Sequence, residues 1–270
     1  MMRFFALLSI CLLWISVGAI DTRAAAKKVR LVFVCESEEV FPYFMGTRAV
    51  LPENPGATIE IVRLLSEYVP VDVVIQRLSL KRSFIALENG SADALVASYK
   101  PSRRKFGRYP MTGDQIDPLR RIDQSDYLLY VMKNSRVTWE PRDQAITGAL
   151  QGIGAPFGYS IVSLLKETRV KVDEYGNTRE NLVKLVSGHI DGAALLEFDA
   201  DRIIHMEKER FGHVVKLTPP LSSKPYYLML GDHFVTAHPR LSENIWEACR
   251  IIRKNRSGAI MRRYLEMALP

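Results

Sequence analysis

Cysteine and histidine are scarce in this chain. Three Cys and five His are spread over 270 residues, with no C-x-x-C or H-x-x-x-H spacing. Neither a structural metal site nor a disulfide framework is therefore expected. Cys11 lies inside an N-terminal apolar stretch, which leaves Cys35 and Cys249 for the fold. Those two either pair in an oxidising compartment or serve as buried thiols that pack like small hydrophobes. Long apolar runs are missing beyond residue 20, so no later segment is expected to span a bilayer. Low-complexity tracts and heptads are missing too. Acidic excess is also absent: the formal charge is +7, with 47% apolar and 25% charged residues. That is a soluble globular composition with a mild bias toward anionic or zwitterionic ligands. The basic run Arg103-Arg104-Lys105 has only Phe106 and Tyr109 as stacking aromatics, so nucleic acid is not expected as a partner. No cofactor is expected.

The N-terminus reads as a leader. Arg3 supplies a positive n-region, residues 4–20 are apolar, and Ala24-Ala25-Ala26 offers small residues to a signal peptidase. Cleavage is expected after Ala26, with Ala19 as the alternative site and an uncleaved anchor as the alternative fate. Ile10 before Cys11 argues against lipidation. The chain is thus expected in the periplasm, as a monomer.

What is present is a cassette that occurs twice. Leu87-Glu-Asn-Gly90-Ser-Ala-Asp93-Ala94 returns as Leu185-Val-Ser-Gly188-His-Ile-Asp191-Gly192. Each copy closes an amphipathic helical stretch, places Gly where a helix ends left-handed, and runs into a short apolar segment. The pattern is helix, tight stop, buried strand, twice over.

Around the cassettes the order of elements repeats. Residues 29–35, 71–76 and 92–97 read as strands, with helices at 57–68 and 79–88 between them. Residues 127–133 read as a strand leaving this first lobe. Strands at 153–155, 170–174 and 192–196 then alternate with helices at 161–167 and 178–186. The Pro219-Pro220 to Pro225 segment reads as the return, and residues 239–255 and 257–265 as helices packing back on the first lobe. The fold class is α/β: two lobes, each a mostly parallel sheet flanked by helices, joined by a two-strand hinge. The boundaries are residues 27–125 with 229–270 for lobe 1, and 126–228 for lobe 2.

Ligands of open parallel sheets gather at the carboxyl ends of strands. Ser98 and Tyr99 follow directly on the first cassette's strand, and Arg103 comes next on a turn that Pro101 holds. A guanidinium there offers a planar fork for a carboxylate; a solvated basic loop is the plainer account. In lobe 2, Gly158-Tyr159-Ser160 opens a helix after a strand, where free N–H groups and the Ser160 hydroxyl suit an anion. Simple N-capping would also explain Ser160. Phe41, Tyr43, Phe44, Tyr99 and Phe157 fall on loops after strands, where they flank a ligand or cover lobe edges. Glu36, Glu38, Glu197 and Asp199 are carboxylates at strand exits, available to an ammonium group or exposed as loop charges.

Taken in order, these segments resemble the extracellular solute-binding proteins of family 3, periplasmic polar amino-acid receptors of ABC importers with the type II periplasmic-binding fold. Phe41-Pro42-Tyr43-Phe44, Gly56 to Ile61, Lys100-Pro101-Ser102-Arg103, Gly154 to Ser160, both cassettes, Pro239-Arg240-Leu241 and Ile260 to Tyr264 carry the resemblance. It implies an Arg103 that binds the ligand α-carboxylate, with Ser160 and Gly158 opposite, and an ABC permease as partner. The position implied for an ammonium-binding Asp holds Leu196, with Glu197 next to it. Lys100 stands where the family often has Thr. The implied ligand is a small carboxylate-bearing solute, a polar amino acid or an organic acid lacking the ammonium. Alternatives are a soluble sensor or accessory protein of the same fold, or a dehydratase-like enzyme using Glu36, Glu38 or Glu197.

Overall fold

The computed structural model describes residues 27–47 and 50–268. The expected leader, residues 1–26, lies outside the described residues. Strand β1 (Val29–Glu36) is apolar and buried on both faces from Leu31 to Cys35, as a central parallel strand must be. The helix expected over residues 57–68 is broken into α1 (Ala57–Arg63) and α2 (Leu65–Tyr68). Then come β2 (Val71–Leu78), α3 (Leu80–Glu88) and β3 (Ala94–Ser98), with β1 parallel to both β2 and β3. Gly56 starts α1 at φ 114°, and a Cβ there would lie 2.3 Å from the Tyr43 carbonyl oxygen, so only glycine fits.

The turn-rich stretch that follows contains a hairpin, β4 (Met111–Thr112) and β5 (Gln115–Ile116). Strand β6 (Asp123–Met132) begins four residues earlier than its apolar run suggests, because its first half is a polar ribbon rather than a buried strand. A second hairpin, β7 (Thr138–Glu140) and β8 (Ala145–Thr147), precedes β9 (Ile153–Ala155), α4 (Ile161–Glu167), β10 (Val172–Glu174), α5 (Thr178–Val186) and β11 (Gly192–Leu196). Here β9 is parallel to both β10 and β11, the arrangement of the first lobe again. Helices α6 (Glu197–Met206) and α7 (Lys208–Phe211) lead into the long β12 (Val214–Leu230). The chain then folds back through α8 (Asp232–Ala237), α9 (Pro239–Ile252) and α10 (Gly258–Ala268).

The strands form one hydrogen-bonded order, β10-β9-β11-β6-β12-β3-β1-β2. The separate sheets expected for the two lobes are thus fused, because β6 and β12 run antiparallel through both. Val214 pairs with Met132 in lobe 2, whereas Tyr226 pairs with Asp123 and Ser98 on the lobe 1 side. The register breaks between Leu217 and Ser222, at Pro219-Pro220, which have no N–H to donate. This ribbon is the two-strand hinge.

Both cassettes do the same structural work. Gly90 and Gly188 are left-handed, at φ 78° and 71°. Asp93 Oδ2 accepts from the Val32 N–H of β1 at 2.7 Å, and Asp191 Oδ2 accepts from the Gly152 N–H just before β9 at 3.0 Å. In each lobe the cassette aspartate ties the start of one strand to its parallel neighbour. Helix α9 buries Ile245, Trp246, Cys249 and Ile252 against lobe 1, and Trp246 Nε1 donates to the Leu228 carbonyl at 2.8 Å. Cys35 and Cys249 are free, buried thiols, raised by burial to about 11 and about 12.

Candidate functional site

The carboxyl ends of β1, β3, β9 and β11 converge on the seam between the lobes, as open parallel sheets dictate. There they enclose a cavity of about 50 Å³, lined from lobe 1 by Glu36, Tyr43, Ser98 and Arg103, and from lobe 2 by Tyr159, Ser160 and Leu196. The hinge strands add Asp123, Ser125, Tyr127 and Tyr226. A wider cleft of about 840 Å³ lies outside it and shares Glu36, Val40, Leu80 and Tyr159 with it.

Arg103 is buried on the turn after β3. Its Nη1 donates to the Ser98 carbonyl and to Ser98 Oγ, both at 3.0 Å, and its guanidinium stacks over the Phe84 ring at 4.9 Å. Its Nη2 reaches across the seam to the Gly158 carbonyl at 3.1 Å. These contacts hold the fork flat against the cavity wall, while its Nε–H makes no hydrogen bond among the described residues. Ser160 is 2% exposed, and its Oγ has no partner among the described residues. Its backbone is helical and its side chain caps nothing, so N-capping does not account for it.

Tyrosine hydroxyls organise the remaining wall. Tyr127 and Tyr226 share a bond at 2.9 Å, Ser125 donates to Tyr43 at 2.7 Å, and Tyr159 donates to Glu36 Oε2 at 3.3 Å. Tyr127 and Tyr159 meet edge to face at 6.5 Å. Burial pushes the Glu36 carboxyl up to about 7, against the bond from Tyr159, with Asp199 and Glu38 adding repulsion. Burial likewise raises Asp123 to about 6, only partly offset by the Gln124 N–H and by Arg121. Outside the cavity a second set of contacts joins the lobes. The Phe41 N–H donates to Asp199 Oδ1 at 2.9 Å, and Arg202 pairs with Glu39. Burial raises Asp199 to about 6 despite its bonds to Thr178 and Phe41.

Of the residues singled out in the sequence, Arg103, Ser98 and Ser160 meet at this cavity. Four others are placed differently. Gly158 contributes its carbonyl to Arg103, and its N–H is engaged by Glu174 Oε1 at 2.9 Å, so it offers no donor to an anion. Tyr99 lies beyond the end of β3 and packs edge-on to Tyr109 at 5.2 Å, away from the lining. Phe41 is buried in the lobe 1 core beneath the Arg202 guanidinium, and Tyr43 and Phe44 line the cavity instead. Glu197, first residue of α6, turns to Lys216 Nζ at 2.7 Å, and Leu196 lines the cavity. Sequence reasoning missed Asp123, Tyr127 and Tyr226. Their signal is the polar and aromatic character of the two hinge strands, which is visible only once those strands are paired.

No protein-family model and no curated protein sequence matches the chain. Solved structures do share its fold. A histidine kinase sensor domain with similarity to periplasmic binding proteins superposes with a TM-score of 0.67 at 17% identity, covering 88% of this chain and 97% of that one. An ancestral arginine-binding protein bound to arginine gives 0.65 at 17% identity, covering 91% and 100%. An amino-acid ABC transporter substrate-binding protein from Streptococcus pneumoniae bound to L-arginine gives 0.65 at 14% identity, covering 89% and 96%. The architecture described above is therefore the two-lobed α/β fold of periplasmic binding proteins.

Proposed function

We propose that this chain is an exported solute-binding protein. It closes its lobes, residues 27–125 with 229–270 and residues 126–228, around a small carboxylate-bearing solute, a polar amino acid above all, and delivers it to an ABC importer. One observation carries the reading: Arg103 of one lobe and the unpartnered Ser160 hydroxyl of the other line a single cavity at the seam. A carboxylate between them gains a charge-assisted bond from the guanidinium and a hydroxyl bond that only the closed arrangement supplies. A ligand shifts a two-state equilibrium by its differential affinity for the two states, so contacts from both lobes favour closure. Binding rather than turnover is the role we assign, since the structural neighbours that share the fold and hold an amino acid are binding proteins. The arginine-bound neighbours support an amino acid as the solute class.

The test is a thermal-shift screen of the exported chain against amino acids and small organic acids, beside Arg103→Ala. A ligand at a hundred times its Kd stabilises the native state by about 2.7 kcal/mol, a shift of roughly 5–10 °C for a chain this size. Such a shift with one carboxylate class, absent in Arg103→Ala, is the expected result. No response to any carboxylate would overturn the assignment.

A further inference from the structure

Beside the cavity, where the lobes join, lies a group of lysines that the reading above does not use. Strand β12 is antiparallel to β3, with Tyr227 opposite Ala97 and Tyr226 opposite Ser98. Lys100 keeps extended backbone, at φ −143° and ψ 136°. The same register, carried two residues on, therefore sets Lys100 opposite Lys224. Side chains alternate along a strand, so both lysines lie on the side of Ser98 and Tyr226, which line the cavity. The lysines themselves line neither the cavity nor the wider cleft. Like charges directly opposite each other destabilise a strand pair, and these two are partly buried, where salt screens them less.

Nothing in the fold relieves the pair. Among the described residues neither ammonium group makes a hydrogen bond or an ion pair. Burial holds Lys100 below the usual lysine value, and Arg103, Lys224 and Lys166 push the same way against Glu174. Burial lowers Lys224 as well, with Glu167 opposing and Arg103 adding to it. Glu174 is already engaged by the Gly158 N–H. Four cations thus meet two carboxylates, and they come from different bodies: Lys100 from lobe 1, Lys224 from the hinge and Lys166 from α4 of lobe 2.

We propose that Lys100 and Lys224 bind a tetrahedral oxyanion, phosphate or a phosphoryl group, at a point distinct from the Arg103 cavity, with Lys166 reaching it from lobe 2. A dianion matches the excess of positive charge and removes the cross-strand repulsion. Ammonium groups suit it, because each is a compact charge with three donors and imposes no planar geometry on the anion. Bound there, the anion joins lobe 1, hinge and lobe 2, so it favours the closed arrangement. It comes either as free inorganic phosphate or as a group carried by the solute. The second source rests on the solute-binding reading; the first does not.

The experiment follows the unfolding midpoint of the exported chain in inorganic phosphate against sodium chloride at equal ionic strength. Calorimetric titration with O-phospho-L-serine and with L-serine accompanies it. Wild type is compared with Arg103→Ala and with Lys100→Met and Lys224→Met combined. For a free anion, phosphate should raise the midpoint saturably in wild type and in Arg103→Ala, but not in the double lysine variant. For a solute-borne group, wild type should bind O-phospho-L-serine at least about tenfold tighter than L-serine, and the double variant should bind the two equally. Without any anion the double variant should be as stable as wild type or more so, since the facing charges are gone. A phosphate response that survives in the double variant would place the anion elsewhere and overturn the site. A response lost in Arg103→Ala as well would make the anion part of the carboxylate site and overturn a separate one. A wild type indifferent to both phosphate and the phosphoryl group would overturn it outright. If the double variant does not fold, Lys100→Gln and Lys224→Gln decide singly: each should weaken phosphate about tenfold, and unchanged affinity would refute the proposal. Inorganic phosphate reports on the lysines whether or not any amino acid binds, so this outcome stays separate from the fate of the solute-binding reading.

Discussion

The Tyr159 hydroxyl donates to Glu36 Oε2 at 3.3 Å across the seam between the lobes, and the two residues divide an inner cavity from the wider cleft outside it. Glu36 ends β1 of lobe 1, and Tyr159 stands between β9 and α4 of lobe 2. The bond exists only when the lobes meet. With Arg103 to Gly158 inside and Phe41 to Asp199 outside, it makes closure a set of specific polar contacts laid over an apolar seam.

Those contacts bury acids, which makes the compact state sensitive to pH. Burial raises Glu36 from 4.5 to about 7 and Asp199 from 3.8 to about 6. A group whose native value is raised binds its proton more tightly in the native state. Its contribution is full below the unfolded value and is lost as pH rises through the native one. The unfolding midpoint should therefore fall between about pH 5 and pH 7, then level off. Glu36→Gln should reduce that slope without abolishing it, because Asp123 and Asp199 are raised as well. A midpoint that stays flat over this window in wild type would show that these carboxyls are solvated.

Ser160→Ala separates binding from stability. Its hydroxyl is buried without a partner, so deleting it should leave the fold as stable as wild type or up to about 1 kcal/mol more stable. Ligand affinity should fall by about tenfold, the net worth of a hydrogen bond to a charged group. Urea denaturation and titration read the two effects independently. A destabilised variant with unchanged affinity would mean that the hydroxyl serves the fold.

The cassette aspartates should behave in the opposite way. Asp93 accepts from the Val32 N–H and meets His233 Nε2 at 2.8 Å, while Asp191 accepts from the N–H groups of Gln151 and Gly152. Asp93→Ala and Asp191→Ala leave backbone N–H groups in β1 and just before β9 unpaired, so each should lose about 1–3 kcal/mol in denaturant unfolding. Ligand affinity measured under native conditions should be unchanged. A loss of affinity at unchanged stability would contradict this structural role.

Much of this was legible in the chain itself. The repeated helix, glycine stop and strand were read from local pattern, and the structure puts Gly90 and Gly188 in the expected conformation. Arg103 was singled out because it follows a strand end on a turn that Pro101 holds, and the structure places it in the cavity wall. What was misread shares one cause. Tyr99 and Glu197 sit at strand or helix boundaries and Phe41 in the loop after β1, where sequence position says which end of the lobe a residue occupies but not which way it faces. Tyr109, Arg202 and Lys216 decided those directions, and each comes from another element.

Element order and the two lobes were determined by the sequence alone, because periodicity, turn chemistry and capping act over a few residues. The tyrosine-lined cavity, the place of Asp123 in its wall and the bond from Tyr159 to Glu36 were decided only by tertiary structure. They bring together residues from β1, the two hinge strands and α4, far apart in the chain, and their burial and pairing depend on how the lobes meet.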